Sequence, residues 1–392
     1  MRWWIVVLLF TTRVGLGFQF QTLGSVSGDV ARAFGFDYAT IGSLIGAFML
    51  PGLVLSLPAG LAGRYLSDRV LVSVGLGFVA LGGAIAAGAD GYLGLGAGRM
   101  VCGIGFVIST IYFAKMVADW FAGKELATAM GAVVMSWPVG IAMGQIGHEW
   151  IAATISWRTA FVVASLYCAA AAIAIAFLYR SPEAARPAAP ATNVAFLTRR
   201  ETALTLVSAL VWALFNAAYV VYLSFAPLTL VASGYEPLAA AAVISLASWI
   251  MIGSGAICGQ IADRTRRPDA VLYVCMLAAA GSLALLSETE LAVALSLVFG
   301  LVGMAPAGVI MALSGEAMDP KRRAFGMGVF FSIYFVVVAP APAIAGWIYD
   351  RTGDPYHAII FAIALFGLTA VANAAFRILQ RATHPMASSA AT

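Results

Sequence analysis

The sequence predicts an all-α membrane protein with twelve transmembrane helices in two pseudo-symmetric bundles of six. Composition gives the first indication, because 62% of the 392 residues are hydrophobic and only 10% are charged, against about 25% charged in soluble domains. The apolar runs are long and continuous rather than alternating, which favours helices over the strands of a membrane barrel. Polar motifs also recur about half a chain apart, as in transporters built from two similar halves.

Twelve apolar windows are long enough to cross about 30 Å of hydrocarbon. They lie near residues 3–26, 39–62, 70–89, 92–117, 126–149, 158–179, 202–226, 238–260, 270–286, 291–313, 325–348 and 356–377. The polar residues Thr11, Thr12 and Arg13 interrupt the first window, and no small-residue cleavage motif follows it. We therefore expect a retained first helix rather than a signal peptide.

One connection is longer than the others. Residues 180–200 are basic and rich in proline and alanine, as in an exposed linker. We therefore predict an N-terminal six-helix bundle at 1–179, a cytoplasmic linker at 180–200, and a C-terminal bundle with a short cytoplasmic tail at 201–392.

The positions of the 22 Lys and Arg residues predict the orientation. Sixteen lie on the side that holds both termini and the linker, three lie on the other side, and the remaining three lie within helices. Because short cytoplasmic loops carry an excess of Lys and Arg, we expect both termini in the cytoplasm and the chain in the cell inner membrane. The net charge of +4 then reflects topology and the lipid bilayer as partner, and gives no reason to expect nucleic acid.

Two motifs are repeated between the halves. The sequence GQIADRTRR at 259–267 separates helices 8 and 9, and GLAGRYLSDR at 60–69 occupies the same place between helices 2 and 3. In helices 5 and 11, SWPVG at 136–140 corresponds to PAPAIAG at 340–346. Repeats at this spacing predict two structurally similar halves.

With these motifs the chain resembles the major facilitator superfamily over essentially its full length. The superfamily pattern Gly-x-Leu-Ala-Asp-Arg-x-Gly-Arg-Arg matches GQIADRTRR closely, and its helix 4 pattern, Arg followed by Gly-x-Gly, is present as RMVCGIG at 99–105. The Gly-Pro pattern of helix 5 is present in altered form as SWPVG. FQFQ at 18–21, LPG at 50–52 and KMVADWF at 115–121 are most similar to bacterial cyanate and nitroimidazole permeases. The resemblance implies a secondary transporter that works by alternating access, and no enzyme.

Arg13 lies about ten residues into helix 1, and so about 15 Å deep. A charge near the bilayer midplane costs at least about 2.5–3.5 kcal/mol, so its side chain should face a partner or a wet pathway. Gly17, Phe20 and Gln21 share its helical face. We predict that Arg13 and Gln21 bind substrate. The alternative is an arginine whose donors are satisfied by backbone carbonyls.

Arg99 lies about eight residues into helix 4, which also places it near mid-depth. In the superfamily the matching arginine is tied to coupling or to helix packing, so a substrate contact and a structural role both remain open. Lys115 lies about 24 Å further along the same helix. We expect it at the membrane edge, in an i,i+4 ion pair with Asp119.

No Asp or Glu falls in the central part of any predicted helix. Two mid-depth cations without an intramembrane carboxylate leave a positive cavity that needs an anion. We therefore expect a small anionic substrate, either a carboxylate or an inorganic ion. The alternative is proton-coupled efflux of drugs or toxic compounds.

In the second half, the polar groups near mid-depth are Asn216 and Tyr219 on helix 7 and Tyr334 on helix 11. Asn216 and Tyr219 are spaced i and i+3, and could hydrogen-bond the uncharged part of a substrate. Ordinary helix packing would explain the same residues.

Energy for transport must come from a gradient, because the sequence contains no ATPase motif. Proton symport and anion exchange are both open, with Asp29, His148 and Glu149 as candidate proton-binding groups. We expect no cofactor and no metal site, because the four cysteines and three histidines form no ligand pattern. We expect the chain to act as a monomer.

The repeated motif predicts a gate on the cytoplasmic side. Gly259, Asp263, Arg264 and Arg267 belong to the copy that matches the superfamily, whereas the first copy has Arg64 where the superfamily has Asp, with Asp68 four residues on. We predict an asymmetric latch to which Asp263 contributes more than Asp68. Of the prolines within helices, Pro138 is expected to mark a kink used in the motion between the halves.

Overall fold

A computed structural model describes residues 2–63, 65–121, 125–182, 196–286, 291–319 and 322–382. Within these ranges the chain is helical, without strands. Eleven helices are long and apolar enough to cross a membrane, and the apolar helix Pro268–Ala284 is shorter. These twelve elements coincide with the twelve predicted windows and confirm the predicted fold class. Arg64 and most of the predicted linker lie outside the described residues.

We number the helices α1 to α12 by membrane span, and a span that is broken keeps one number for both pieces. The first six spans, called the first set, are α1 (Arg2–Ser25, extended by Ser27–Phe34), α2 (Tyr38–Ala47 and Leu50–Ala62), α3 (Asp68–Ala87), α4 (Tyr92–Phe121), α5 (Leu126–Val134 and Ser136–Thr154) and α6 (Trp157–Leu178).

The last six spans, called the second set, have corresponding bounds. They are α7 (Arg199–Ala232), α8 (Pro237–Thr265), α9 (Pro268–Ala284), α10 (Ala292–Val302 and Ala307–Ala317), α11 (Arg323–Val338 and Ala341–Thr352) and α12 (Tyr356–Ala382). Because the spans alternate in direction, residues 2 and 382 share one face of the molecule. We call it the terminal face, and the other the opposite face.

The broken spans follow the positions of proline. Pro51, Pro138, Pro306 and Pro340 each lie at or within three residues of a break. A proline has no N–H to donate to the carbonyl four residues earlier, and its ring crowds that carbonyl. The predicted kink at Pro138 is therefore present as an interruption of α5 at Met135.

Side-chain caps fix several helix starts. The Asp37 carboxylate accepts the backbone N–H of Thr40 at the start of α2, and Ser67 and Ser156 cap α3 and α6 in the same way. At α7, Thr198 and Glu201 form a reciprocal capping box. Each cap satisfies N–H groups that a helix leaves unpaired at its first turn.

The two sets are joined near the opposite face. The backbone N–H groups of Tyr38 and Ala39 in α2 donate to the Asp350 carboxylate of α11 over 2.9 and 2.7 Å. Gln145 of α5 donates to the Leu223 carbonyl of α7 over 3.2 Å, and the Ser245 hydroxyl of α8 donates to the Ala142 carbonyl. These bonds hold the opposite face closed.

Glycine lets α2 and α11 approach backbone to backbone. A β-carbon on Gly42 would overlap the Pro342 carbonyl, and one on Gly46 would overlap the Ala339 carbonyl. From the other side, a β-carbon on Gly346 would overlap the Tyr38 carbonyl. Small residues at these three positions are therefore a condition for closure of the opposite face.

Candidate substrate site

Four aromatic side chains from four spans form a closed ring in the first set. Phe20 of α1 lies 5.2 Å from Phe48 of α2 and 5.3 Å from Trp137 of α5, measured between ring centroids. Phe106 of α4 completes the ring at 5.4 Å from Phe48 and 5.1 Å from Trp137. We call these four residues the aromatic cage. Because Phe106 and Trp137 are only half-buried, the cage presents apolar surface that a ligand can cover.

A second aromatic group in the other set lies next to the cage. Trp212 of α7 and Tyr334 of α11 have ring centroids 6.5 Å apart, and Phe335 is 4.9 Å from Tyr334. The Phe335 ring packs directly on Gly52, where a β-carbon would overlap it. Since Gly52 is one turn from Phe48, the two aromatic groups meet at mid-depth between the sets.

Arg13 is anchored to the break in α5. Its Nη1 donates to the carbonyl oxygens of Val133 and Val134 over 3.0 and 3.1 Å, and to the Ser136 hydroxyl over 3.0 Å. Pro138 explains the Val134 bond, because its missing N–H leaves that carbonyl without a helical partner. The backbone-carbonyl alternative therefore accounts for one nitrogen of the guanidinium.

The rest of the Arg13 guanidinium is available. Its side chain is half-buried, and within the described residues neither Nε nor Nη2 makes a hydrogen bond. Arg13 precedes Phe20 by seven residues, two turns or about 10.5 Å along the axis. The free donors thus lie on the terminal-face side of the cage.

Arg99 occupies the protein interior behind the cage. It is fully buried, and its three nitrogens donate to the carbonyls of Leu44, Gln19 and Phe20 over 3.2–3.3 Å. Its guanidinium carbon lies 4.7 Å from the centroid of the Phe48 ring. In this conformation Arg99 joins α1, α2 and α4, and the Phe20 and Phe48 rings of the cage lie against its guanidinium.

The remaining predicted ligands differ in accessibility. Asn216 is half-buried and donates to the Trp212 carbonyl over 2.8 Å, and Tyr334 is also half-buried. Tyr219 is buried with a hydroxyl that has no partner in the described part of the chain. Gln21 is buried against α5 and donates to the Ser25 hydroxyl over 3.4 Å. The structure therefore brings Arg13, Asn216 and Tyr334 to accessible positions and leaves Gln21 and Tyr219 inside the helix packing.

The carboxylates of the described helices lie at helix ends. Asp68, Glu201 and Asp269 are in first turns, whereas Asp119, Glu149, Asp263, Glu316 and Asp350 lie within the last turns. Neither arginine near mid-depth has a carboxylate partner within the described residues. Two uncompensated positive charges therefore act on the middle of the molecule.

At the terminal face, the first set holds one charged cluster. Lys115 of α4 binds Asp119, four residues on, over 2.9 Å, and Asp68 at the start of α3 over 2.5 Å. The i,i+4 pair agrees with the sequence prediction. The bond to Asp68 does not follow from sequence spacing, because it joins two spans.

The second set holds a matching cluster. Asp269 at the start of α9 and Glu316 near the end of α10 both bind Arg377 of α12, with 2.9 Å between Arg377 Nε and Asp269. Asp269 and Glu316 correspond in position to Asp68 and Asp119, but the cation comes from α12 rather than from the fourth span of the set. Sequence analysis did not identify this cluster, although two carboxylates in equivalent positions of the two halves were a usable signal.

The residues of the repeated motif are mostly solvent-exposed. Asp263, Arg264 and Arg267 are exposed at the end of α8, and no hydrogen bond or ion pair involves Asp263 within the described ranges. A β-carbon on Gly259 would meet open space. In this conformation Asp263 of the second copy has no partner in the described ranges, whereas Asp68 of the first copy is bound to Lys115.

Broken helices, two similar sets of spans and a site between them define the class of membrane transporters. The chain belongs to the Major Facilitator Superfamily, whose family model matches residues 9–314. Its relatives are transporters and not enzymes. The narrower resemblance to cyanate and nitroimidazole permeases stays a prediction.

Two similar proteins carry names that state a substrate. The 3-(3-hydroxy-phenyl)propionate transporter of Escherichia coli (strain K12) is 26% identical over 354 residues, which cover 86% of this chain and 85% of that protein. Monocarboxylate transporter 12 of Xenopus laevis is 30% identical over 115 residues, 26% of this chain and 25% of that protein.

Solved structures show the same fold at low identity. A bacterial homologue of the human lysosomal transporter Spinster, in its inward-facing and unoccupied conformation, has a TM-score of 0.76 and 16% identity over 97% of both chains. The nucleoside transporter NupG has a TM-score of 0.76 and 14% identity over 96% of this chain and 99% of that chain.

Proposed function

We propose that this transporter moves a small organic anion, an aromatic or aliphatic carboxylate, across the inner membrane by alternating access. The observation that carries the proposal is Arg13. It combines a half-buried guanidinium, two unpaired nitrogens and the absence of a carboxylate partner in the described part of the chain. A free anion would supply the partner that Arg13 lacks.

The aromatic cage supports an organic rather than an inorganic anion. A carboxylate on Arg13 would have its apolar part directed toward Phe20 and Trp137, whose rings lie about two turns deeper. Stacking on such rings contributes about 0.5–1.5 kcal/mol beyond the burial of area. Asn216 and Tyr334 line the other set and offer hydrogen bonds to polar substituents of the substrate.

Arg99 would favour a bound anion through the electric field of its charge and not through direct contact with the substrate. At an effective dielectric constant of about 20 and a distance of about 10 Å, one charge stabilises an anion by roughly 1.7 kcal/mol. A cation at the same place would be repelled by as much. This asymmetry argues against cationic drugs as substrates and in favour of anions.

The names of the relatives are consistent with this choice. The E. coli relative transports an arylpropionate by its name, and the Xenopus relative is named for monocarboxylates. Both substrates combine a carboxylate with an apolar body, which is the combination that Arg13 and the cage would accommodate. We transfer the chemical class and not the particular compound.

Access and orientation complete the proposal. The closed opposite face leaves entry from the terminal face, which we place in the cytoplasm because the Lys and Arg residues concentrate there. Each chain contains both sets of spans (residues 1–179 and 201–392) around its own site, so we propose a functional monomer. Transport would be driven by a gradient, through proton symport or anion exchange.

Substrate exchange in proteoliposomes tests the proposal. Vesicles preloaded with 3-phenylpropionate should accumulate labelled 3-phenylpropionate by counterflow, and the neutral 3-phenylpropanamide should not compete. Arg13→Gln should weaken substrate binding about tenfold to hundredfold, because a hydrogen bond to a charged group contributes about 1.5–3 kcal/mol. A glutamine amide can still donate to the α5 carbonyls, so the fold should persist.

Arg180→Gln is the matched control, because Arg180 is an exposed arginine that follows α6 of the same set. It should exchange substrate like the wild type. Equal competition by the amide, or unchanged affinity in Arg13→Gln, would contradict an anion site at Arg13. The first result would favour efflux of uncharged aromatic compounds instead.

A further inference from the structure

A cavity lies between the two sets close to the opposite face. Its volume is about 410 Å³. The first set contributes Asp29, Arg32, Gln145 and Glu149, and the second set contributes an apolar wall that includes Pro227 and Leu228 of α7. The cavity is therefore polar on one side and apolar on the other, and it exists only while the two sets are in contact.

Glu149 has no partner in this cavity. It is half-buried, and it makes no hydrogen bond or ion pair within the described residues. It is not in the central substrate site, which lies near Phe20 and Trp137. Asp29, the other carboxylate that lines the cavity, is paired with Arg32.

Gln145 lies one turn before Glu149 on the same face of α5, and its side chain has a hydrogen-bond acceptor without a donor. It is fully buried, and its Nε2 donates to the Leu223 carbonyl across the interface. Its Oε1 has no hydrogen-bond partner in the described structure. A buried acceptor without a donor is destabilising, so this atom points to a missing proton donor in the cavity.

The charged groups around Glu149 do not supply that donor. Arg32 is paired with Asp29, which leaves the two side chains neutral as a pair. Tyr38 lines the cavity from α2, and the lining residues of α7 and α8 are Pro227, Leu228, Val231, Pro237 and Ala241. None of these five carries a charge, so contact with the second set removes water from Glu149 without adding a cation.

His148, the neighbouring titratable group, faces elsewhere. It is fully buried inside the first set, with its ring 4.2 Å from the Phe18 ring and Nε2 3.5 Å from the Thr22 hydroxyl. It touches no part of the second set through these contacts. Of the three candidate proton groups in the sequence, only Glu149 is both unpaired and placed against the moving interface.

We propose that Glu149 binds the coupling proton and that its protonation closes the opposite face. A neutral carboxyl group has an O–H that can donate, whereas a carboxylate only accepts. The proton on Glu149 gives Gln145 Oε1 the donor it lacks, and it removes a charge from a cavity walled by apolar residues. Loss of the proton leaves a charge that water must reach, which separates the two sets.

This inference rests on the proposed function, and it decides between proton symport and anion exchange as the mode of coupling. A proton that enters from the opposite side and closes that side travels with the substrate toward the terminal face. The mechanism is therefore proton symport, and exchange of substrate for substrate needs no change at Glu149.

Spin labels across the cavity test the gate without any substrate. Ala33 at the end of the α1 extension and Ala232 at the end of α7 are exposed and flank the cavity. The variant Ala33→Cys/Ala232→Cys is labelled in a background whose four buried cysteines are changed to alanine. Double electron–electron resonance should show the short-distance population falling as pH rises from 5 to 9.

Without substrate, Glu149→Gln should show at every pH the short-distance population that the wild type has at pH 5, because a glutamine is permanently neutral and can still donate to Gln145. The matched control is Glu236→Gln, an exposed glutamate at the start of α8 outside the cavity lining, which should titrate like the wild type. The proposal would be overturned if the wild-type distance distribution did not change with pH, or if the distribution of Glu149→Gln still changed with pH.

Transport assays separate failure of this inference from failure of the proposed function. Glu149→Gln should exchange 3-phenylpropionate by counterflow but lose accumulation driven by a pH gradient at least tenfold. Gradient-driven accumulation by Glu149→Gln at the wild-type level overturns the inference alone. A wild type that does not exchange any carboxylate overturns the proposed function, and the spin-label titration then still decides whether Glu149 controls the gate.

Discussion

Arg13 and Arg99 both lie near mid-depth in the bilayer, but their guanidinium groups are hydrogen-bonded to different extents. All three guanidinium nitrogens of Arg99 donate to backbone carbonyls of two neighbouring spans, whereas only one nitrogen of Arg13 donates within the described residues. A buried charge with satisfied donors has a structural role, and one with spare donors can bind a ligand. Depth alone did not distinguish the two side chains.

Arg99→Gln should lower stability and weaken substrate binding without abolishing exchange. Loss of hydrogen bonds to a buried charged group costs about 1.5–3 kcal/mol each, so the melting temperature in detergent should fall clearly. Arg180→Gln should stay within about 0.5 kcal/mol of the wild type. Affinity for 3-phenylpropionate should fall several-fold as the field is lost. A stable Arg99→Gln protein with no detectable binding would show instead that Arg99 contacts the substrate.

Sequence analysis identified mid-depth charges because depth follows from counting residues along a helix. It could not identify the aromatic cage, because its four rings come from four spans and no spacing within one span relates them. For the same reason it grouped Gln21 and Tyr219 with accessible residues. Which face of a helix is buried depends on its neighbours, and a single sequence does not contain them.

At the scale of elements, the break in α5 links helix geometry to the proposed substrate site. Pro138 leaves the Val134 carbonyl without an internal partner, and the nitrogen that fills this gap belongs to Arg13. The kink in α5 and the position of the Arg13 guanidinium are therefore coupled through this hydrogen bond. The sequence predicted the kink from proline, but its connection to Arg13 required the packing of α1 against α5.

Close packing of α2 and α11 gives a second element-scale prediction. Gly46→Ala should weaken closure of the opposite face, because the added β-carbon would overlap the Ala339 carbonyl. Spin labels at Ala33→Cys and Ala232→Cys should report a larger long-distance population. Gly77→Ala is the control, because a β-carbon there meets open space on α3. Equal distance distributions in the two variants would contradict a role for this glycine in closure.

Composition does not show which of the 40 glycines have such a role. Gly42, Gly46 and Gly346 lie against a backbone of the other set, whereas Gly17, Gly103 and Gly140 lie against a backbone within the first set. Gly60, Gly77 and Gly259 have open space. The general expectation that glycines permit helix approach was sound, but the contacts themselves come from the fold.

At the scale of the whole molecule, the two terminal-face clusters hold each set together separately. Lys115 bridges Asp68 and Asp119 in one set, and Arg377 bridges Asp269 and Glu316 in the other. Each bridge joins carboxylates at equivalent ends of equivalent spans. The repeat seen in the sequence therefore extends to the two carboxylates of each cluster, whereas the cation comes from α4 in the first set and from α12 in the second.

Asp263 should form its bond in the conformation whose terminal face is closed, which is not the conformation described. Asp263→Asn removes no partner here, so it should leave the melting temperature unchanged. It should enlarge the short-distance population of the Ala33→Cys/Ala232→Cys pair, because a bond made when the terminal face closes is lost. Asp68→Asn should instead lower the melting temperature, since Lys115 loses one of its two carboxylate partners. A stability loss in Asp263→Asn without a population shift would contradict the predicted latch.

Topology was the most predictable level. Hydropathy, the number of spans and the repeat of motifs are properties of the chain itself, and the lipid environment limits their solutions to helices. Arg64, the altered residue of the first motif copy, lies outside the described residues, so the predicted asymmetry of the latch stays a prediction.

Asp350 also makes the start of α2 a natural reporter of the transport cycle. The amide protons of Tyr38 and Ala39 are bonded across the molecule, whereas that of Thr40 is bonded within its own cap. When the sets separate, the first two amides are released to water and the third is not. Deuterium uptake at residues 38 and 39, normalised to that at residue 40, therefore measures the time the molecule spends open in unlabelled protein of native sequence.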